Sequence, residues 1–311
     1  MTSTPDRAIE VTGLIKRYGS FEAVSGIDLH VDRAEVFALL GPNGAGKTTT
    51  VEILEGHRER DGGSVDVLGY DPQQSGSAFR ERIGIVLQST GVEPYLTVAE
   101  TLGQFSGYYP RARPLGEVLE VVGLTEQRDT RVRRLSGGQQ RRLDVAVGLI
   151  GDPDLLFLDE PTTGFDPAAR RQAWELVHNL KALGKTVLLT THYMDEAQQL
   201  ADRLAVIVRG EIVAEGTPHD LMERDHLSTI QFDQTPAATS LIAGVLGEVA
   251  LGDGLVTVRT SEPTRALAMI AGRAAEIGAE LDGLTVTRAT LEDVYLELAG
   301  GEAAAGAEVA P

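Results

Sequence analysis

Four short apolar runs stand out along the chain: Val36–Leu40, Leu155–Leu158, Val187–Leu189 and Leu204–Val208. Each has strand length and none alternates with polar residues, which is the pattern of a strand buried on both faces. Segments of helical period lie between them, so residues 36–210 read as an α/β unit with a largely parallel sheet. The rhythm changes from about 90 to 135. Thr97-Val98-Ala99-Glu100 is a capping-box sequence, and Leu102, Phe105, Val118, Leu119 and Val122 continue at helical spacing, predicting a mainly helical insertion. Gly216-Thr217-Pro218 closes this part. Beyond it, 228–233, 255–260 and 284–289 read as strands, with a turn at Gly252-Asp253-Gly254. Helical stretches follow at about 237–246, 264–277 and 291–298. The expected organisation is a main domain over 7–220, a small α+β domain over 221–300, and a disordered tail over 301–311 whose sequence is small and polar-to-neutral.

Length and composition narrow the picture. A chain of 311 residues has room for two domains. With 28 basic against 46 acidic residues the net charge is −18, which argues against a nucleic-acid partner, since such binders present a basic surface. There is no cysteine, so disulfides, thiolate metal sites and cysteine nucleophiles are excluded. The N-terminus lacks a basic stretch followed by an apolar one, and no run approaches 18 apolar residues. The expected location is cytoplasmic. Only four lysines occur, at 16, 47, 181 and 185, so a lysine inside a sharp motif carries weight.

One of them does. Gly41-Pro42-Asn43-Gly44-Ala45-Gly46-Lys47-Thr48 fits G-x-x-x-x-G-K-[ST], preceded by a buried-strand pattern and followed by a helix pattern. Glycines let such a loop wrap closely, so that backbone N–H groups point at phosphate oxygens. Lys47 is placed to reach the terminal phosphates, Thr48 to ligate Mg²⁺, and the helix N-terminus adds its positive end. A second apolar strand ends in Asp159-Glu160. Acids at a strand tip sit where doubly wound sheets bind ligands. Asp159 is expected to hold Mg²⁺ and Glu160 to act on the attacking water, with ATP and Mg²⁺ as cofactors.

Leu135-Ser136-Gly137-Gly138-Gln139 opens a helix whose Leu143, Ala146, Val147 and Ile150 share one face. Ser136 suits the N-cap, and the glycines allow close approach of a ligand. With this LSGGQ motif the chain resembles the ATP-binding subunit of ABC transporters over about residues 7–220. The resemblance implies further roles. Tyr18 stacks on adenine. Gly41, Asn43, Gly44, Gly46, Lys47, Thr48 and Thr49 form the phosphate loop. Gln88 touches Mg²⁺ and the water and leads into the helical insertion. Asp166, in Thr163-Gly164-Phe165-Asp166, belongs to a loop crossing to a partner subunit, with Phe165 where the family usually has leucine. His192 contacts the γ-phosphate. Ser136, Gly138 and Gln139 complete the ATP site of another copy, so a homodimer with two sandwiched ATPs is implied. THYMDEAQQLADRLAVIVRGEIVAEGTP, with ATLEDVYLELAG near the C-terminus, resembles ATPase subunits of ABC-2 exporters of the daunorubicin-resistance type. Those work with a separate polytopic membrane protein, which implies a peripheral position on the cytoplasmic face of the membrane.

Two other readings stay open at this level. A soluble ABC ATPase could act on a non-membrane partner, although ribosome-acting forms usually carry two motif sets in one chain and DNA-repair forms insert a long coiled coil. A binding or immunity protein could use nucleotide only as a switch, against which the intact Glu160 argues.

Overall fold

The computed structural model describes residues 6–86, 91–223, 227–235, 238–252, 254–288, 290–291 and 295. The chain divides into two compact units between Pro218 and His219. The first contains the strands β1 (Arg7–Tyr18), β2 (Phe21–Asp32), β3 (Val36–Leu40), β4 (Gly62–Val67), β5 (Ile83–Val86), β6 (Leu155–Asp159), β7 (Thr186–Thr191), β8 (Arg203–Val208) and β9 (Glu211–Gly216). Its helices are α1 (Lys47–Leu54), α2 (Ser77–Arg80), α3 (Val98–Ser106), α4 (Leu115–Val122), α5 (Gly137–Leu149), α6 (Pro167–Ala182) and α7 (Met194–Leu200).

The four apolar runs become β3, β6, β7 and β8, and all five residues of β3 are buried. They lie in a six-stranded sheet of order β5-β6-β7-β3-β8-β9. The pairings from β5 to β8 are parallel, and β9 returns antiparallel on β8 as an edge hairpin. Strands covered on both faces need no polar alternation, which explains the unbroken apolar spelling.

A three-stranded antiparallel sheet, order β2-β1-β4, adds a layer that the apolar runs did not announce. Its β1–β2 register shifts at several places, so the period-two alternation is interrupted by bulges and is hard to read from the chain. One core joins the two sheets through α1: Ile9, Leu14, Val31 and Val65 meet Phe37, Leu39, Phe157 and Ile207, with Val51, Ile53 and Leu54 between them.

The insertion is helical, as its pattern predicts. Thr97 caps α3 in a complete capping box with Glu100, and α4 ends on Gly123 in the left-handed region at φ 66°. α4 packs on α5 and α6.

The second unit holds α8 (Pro218–Glu223), which starts at the division, then β10 (Ser228–Asp233), α9 (Ala238–Ile242), β11 (Glu248–Gly252), β12 (Leu255–Thr260), α10 (Pro263–Ile277) and β13 (Thr285–Arg288). The sheet order is β11-β12-β10-β13, all antiparallel. Ile230, Phe232, Val256 and Val258 pack against Leu241, Ala266, Ile270 and Ala274 of α9 and α10. This is the expected α+β arrangement. β11 was not anticipated: it is an edge strand exposed along its length, so its sequence bears little imprint of burial. The expected helix over 291–298 and the tail over 301–311 fall almost wholly outside the described residues.

Leu39 is fully buried on the central strand β3. Leu39→Ala should cost about 2–5 kcal/mol of stability, read as a lower midpoint in urea unfolding.

Candidate active site

β6, β7 and β3 lie side by side and run in the same direction. Asp159 pairs with Thr190, and Leu40 pairs with Thr191. Three strand ends therefore stop along one line, at the crevice beyond the carboxyl ends of a parallel sheet.

The phosphate loop leaves β3 and is pinned at its start by a hydrogen bond from Gly41 N to Thr191 O, 3.2 Å. Two of its glycines are required by their surroundings. A Cβ on Gly41 would stand 2.3 Å from the Ile207 carbonyl oxygen. Gly46 has φ 108°, and a Cβ there would stand 2.5 Å from the Ala23 carbonyl oxygen. The loop is thus wedged between β2 and β8. Lys47 opens α1 and is only 4% exposed. Its ammonium group donates to the carbonyls of Gly41 (2.7 Å) and Pro42 (3.1 Å) and lies 3.6 Å from Glu160 Oε1. Burial pushes its pKa down, and the charges of Glu160 and Asp159 only partly offset that.

The acidic end of β6 is held by neighbours that the apolar spelling concealed. The buried Thr190 hydroxyl donates to Asp159 Oδ1 at 2.6 Å and accepts from Glu160 N at 3.0 Å. Glu160 sits at φ 43°, a left-handed conformation unusual for a residue with a side chain. Its Oε2 accepts from the Thr163 hydroxyl at 3.0 Å, and its Oε1 lies 3.3 Å from His192 Nδ1. Partial burial works against its charge, but Thr163, His192 and Lys47 outweigh it and hold the carboxyl below the usual carboxylate range. Glu160 is therefore ionised at neutral pH and suited to accept a proton or orient a water. From the other side, Arg141 of α5, nearly buried, donates to the carbonyls of Asp159 (3.2 Å) and Pro161 (3.3 Å).

These groups surround a cleft of about 460 Å³ lined by Tyr18, Phe21, Ala23, Asn43, Gly44, Gly46, Lys47, Thr48, Thr49, Asp159 and Glu160. Phe21 is the newcomer here, an exposed aromatic across the β1–β2 turn from Tyr18; its signal was an aromatic three residues after another in a polar stretch. The Tyr18 ring lies within cation–π reach of Arg58 (5.3 Å) and Lys16 (5.7 Å). His192 joins through Glu160. Ser136, Gly138, Gln139 and Asp166 do not line this cleft. Ser136 caps α5 in a capping box with Gln139, and Gly138 lies in that helix's first turn. Asp166 caps α6 through bonds from Ala168 N and Ala169 N. Gln88 lies outside the described residues.

Residues 24–163 match the ABC transporter family. The chain is 39% identical to the daunorubicin/doxorubicin resistance ATP-binding protein DrrA of Streptomyces peucetius, over 96% of this chain and 94% of that one. It is 41% identical to the Nod factor export ATP-binding protein I of Ralstonia nicotianae, over 96% and 95%. The chain belongs to the ABC transporter ATP-binding proteins. Among solved structures, the ADP conformation of MJ1267, an ATP-binding cassette of an ABC transporter, superposes with a TM-score of 0.62 at 25% identity, covering 69% of this chain and 92% of that one. This chain is accordingly an ATPase that binds ATP.

Gly46→Ala forces a Cβ into the Ala23 carbonyl and should weaken nucleotide binding at least tenfold, whereas Gly44→Ala, strained by φ 81° but with nothing within 4 Å of its Cβ, should weaken it less; titration with a fluorescent nucleotide compares the two. Glu55, buried at the end of α1, has its pKa pushed up to about 8 by burial, aided by the charges of Asp159 and Glu52. The unfolded chain ionises this carboxyl near its ordinary value, while the folded protein keeps the proton. Stability is therefore lost as pH rises from about 4.5 to about 8. Glu55→Gln should come close to the parent at pH 4 and exceed it at pH 8.5 by about 2–4 kcal/mol in urea unfolding.

Proposed function

We propose that this chain is the nucleotide-binding subunit of an exporter, hydrolysing ATP in a pair of copies to drive a separate polytopic membrane protein on the cytoplasmic face of the membrane. The observation that carries the reading is the single cleft that gathers Tyr18, the phosphate loop, Asp159 and Glu160 while leaving the LSGGQ helix end outside it. Two anion-ready helix ends in one chain, only one of them at the cleft, suit a head-to-tail pair in which Ser136, Gly138 and Gln139 of each copy close over the other's γ-phosphate. Asp166 stands at the loop expected to cross between copies.

In this reading Tyr18 stacks on the adenine, and Lys47 and the loop amides hold the phosphates. Glu160 orients or deprotonates the water, and His192 and Gln88 align it with the γ-phosphate. Thr48 and Asp159 fit Mg²⁺: both face the cleft, and the Thr190 hydroxyl occupies only one Asp159 oxygen. Among the described residues no cluster of three or more His, Cys, Asp or Glu could hold a metal. That accords with an ion that takes most of its ligands from phosphate and water. The ion would neutralise charge on the phosphates; positioning and charge stabilisation by the residues named supply the rest.

The drug-resistance and export names of the relatives support an exporter role; the cargo proposed here is a hydrophobic drug or antibiotic, in line with the drug-resistance name alone. Among the described residues no helix is long and apolar enough to cross a membrane. Glu160→Gln should slow phosphate release by about 10²–10⁴ while ATP still binds. The same variant, tagged and loaded with MgATP in detergent-solubilised native membranes, should bring down one polytopic membrane protein in near-equal amount. Unchanged turnover would remove Glu160 from the chemistry, and ribosomal or DNA-associated proteins without a membrane protein would sink the exporter reading.

A further inference from the structure

His192 does not stand alone at its strand end. Its ring lies 4.1 Å, centroid to centroid, from the ring of Tyr193, tilted by 39°. The Arg170 guanidinium carbon lies 4.5 Å above the centre of that Tyr193 ring. Arg170 is in the first turn of α6, immediately after the loop that ends at Asp166, and its Nη1 donates to Asp195 Oδ2 at 2.9 Å. Its Nε is buried with no hydrogen-bond partner, so the guanidinium is held by the ring and by Asp195 rather than by a full set of acceptors. Tyr193 is itself fixed at the start of α7 by a bond from its N–H to the Thr191 hydroxyl, 2.9 Å.

The stack continues into the site. His192 Nδ1 is 3.3 Å from Glu160 Oε1, and Glu160 Oε2 accepts from Thr163 at 3.0 Å. Thr163 lies in the loop that Asp166 ends. The loop over 161–166 is therefore tied to Glu160 and His192 from both sides, by Thr163 directly and by Arg170 through Tyr193. An imidazole with one hydrogen-bond partner is free to swing about its χ angles; a flat ring at stacking distance, itself clamped by a cation, removes that freedom.

We infer that Tyr193 and Arg170 are positioning residues for hydrolysis: the Arg170–Tyr193 stack holds the His192 ring against Glu160, so the ring's aim depends on where α6 and its preceding loop sit. This rests on the role proposed for His192. Neither Tyr193 nor Arg170 lines the cleft, so their effect falls on turnover rather than on binding. The phenol oxygen takes no part, which makes phenylalanine an adequate substitute and an aliphatic side chain an inadequate one.

The test is steady-state ATP hydrolysis by the full-length protein and its variants. His192→Ala comes first and should lower kcat at least tenfold. Tyr193→Leu should lower kcat about five- to tenfold with the KM for ATP within twofold of the parent, and Tyr193→Phe should recover most of that loss. Arg170→Met should lower kcat about threefold in the parent and have no further effect on top of Tyr193→Leu, because the ring it clamps is gone. If His192→Ala leaves kcat unchanged, the proposed role of His192 falls and this inference falls with it. If His192→Ala impairs turnover but Tyr193→Leu does not, or Tyr193→Phe is as slow as Tyr193→Leu, or the Arg170 and Tyr193 effects multiply independently, the stack does not position the ring and the inference alone is overturned. Should Tyr193→Leu fail to fold, Arg170→Met with Tyr193→Phe still decides: a kcat loss from the first, with KM held and the second near the parent, supports the stack, and no loss overturns it.

Discussion

Everything at the nucleotide cleft depends on β7 pairing in parallel with β3 on one side and β6 on the other. That register aligns Leu40, Thr191 and Asp159 at one edge of the sheet, although more than a hundred residues separate the first from the others. A slip of one residue in a parallel pair would turn every side chain to the opposite face. The phosphate loop would then lose the Thr191 carbonyl that anchors Gly41, and Asp159 would lose the Thr190 hydroxyl. The site is precise because the strands that carry it are buried on both faces and cannot shift without exposing their apolar side chains.

Around this edge the polar groups form a closed set. Lys47 is buried yet satisfied by two carbonyls of its own loop, with Glu160 nearby to share its charge. Glu160 in turn is shared among Lys47, Thr163 and His192. Arg141 holds the backbone of the same turn from behind, so the LSGGQ helix is tied to the acidic strand end. Buried charge of this kind is costly unless paired, and breaking one member leaves the others uncompensated. The unusual φ at Glu160 is tolerated in this setting because both its backbone N–H and its carboxylate are fixed by neighbours.

The two ends of the 161–166 loop meet that set differently. Thr163 reaches Glu160 through a hydrogen bond, while the far end acts through the first turn of α6. Moving either anchor of this loop changes the surroundings of the same carboxylate, which in the pairing proposed above gives a second copy a route to the chemistry.

Much was legible in the chain itself. The apolar runs named four strands of the main sheet, because full burial on both faces leaves an unbroken apolar spelling. The glycine-rich loop after β3 was legible because Gly41 and Gly46 stand where a side chain would meet backbone, and the capping boxes at Thr97 and Ser136 because orphan helix N–H groups need short polar side chains. The bulged β1–β2 pair and the exposed edge strand β11 left no periodic trace. Nor did the chain announce Thr190, Arg141 and Tyr193, whose importance lies in what stands opposite them. Sequence alone therefore determined which residues could bind phosphate and which strands must be buried, since those are demands on single residues and local periods. Tertiary structure alone decided which strand ends adjoin, which hydroxyl meets Asp159 and which ring lies on His192, because those are contacts between segments far apart in the chain.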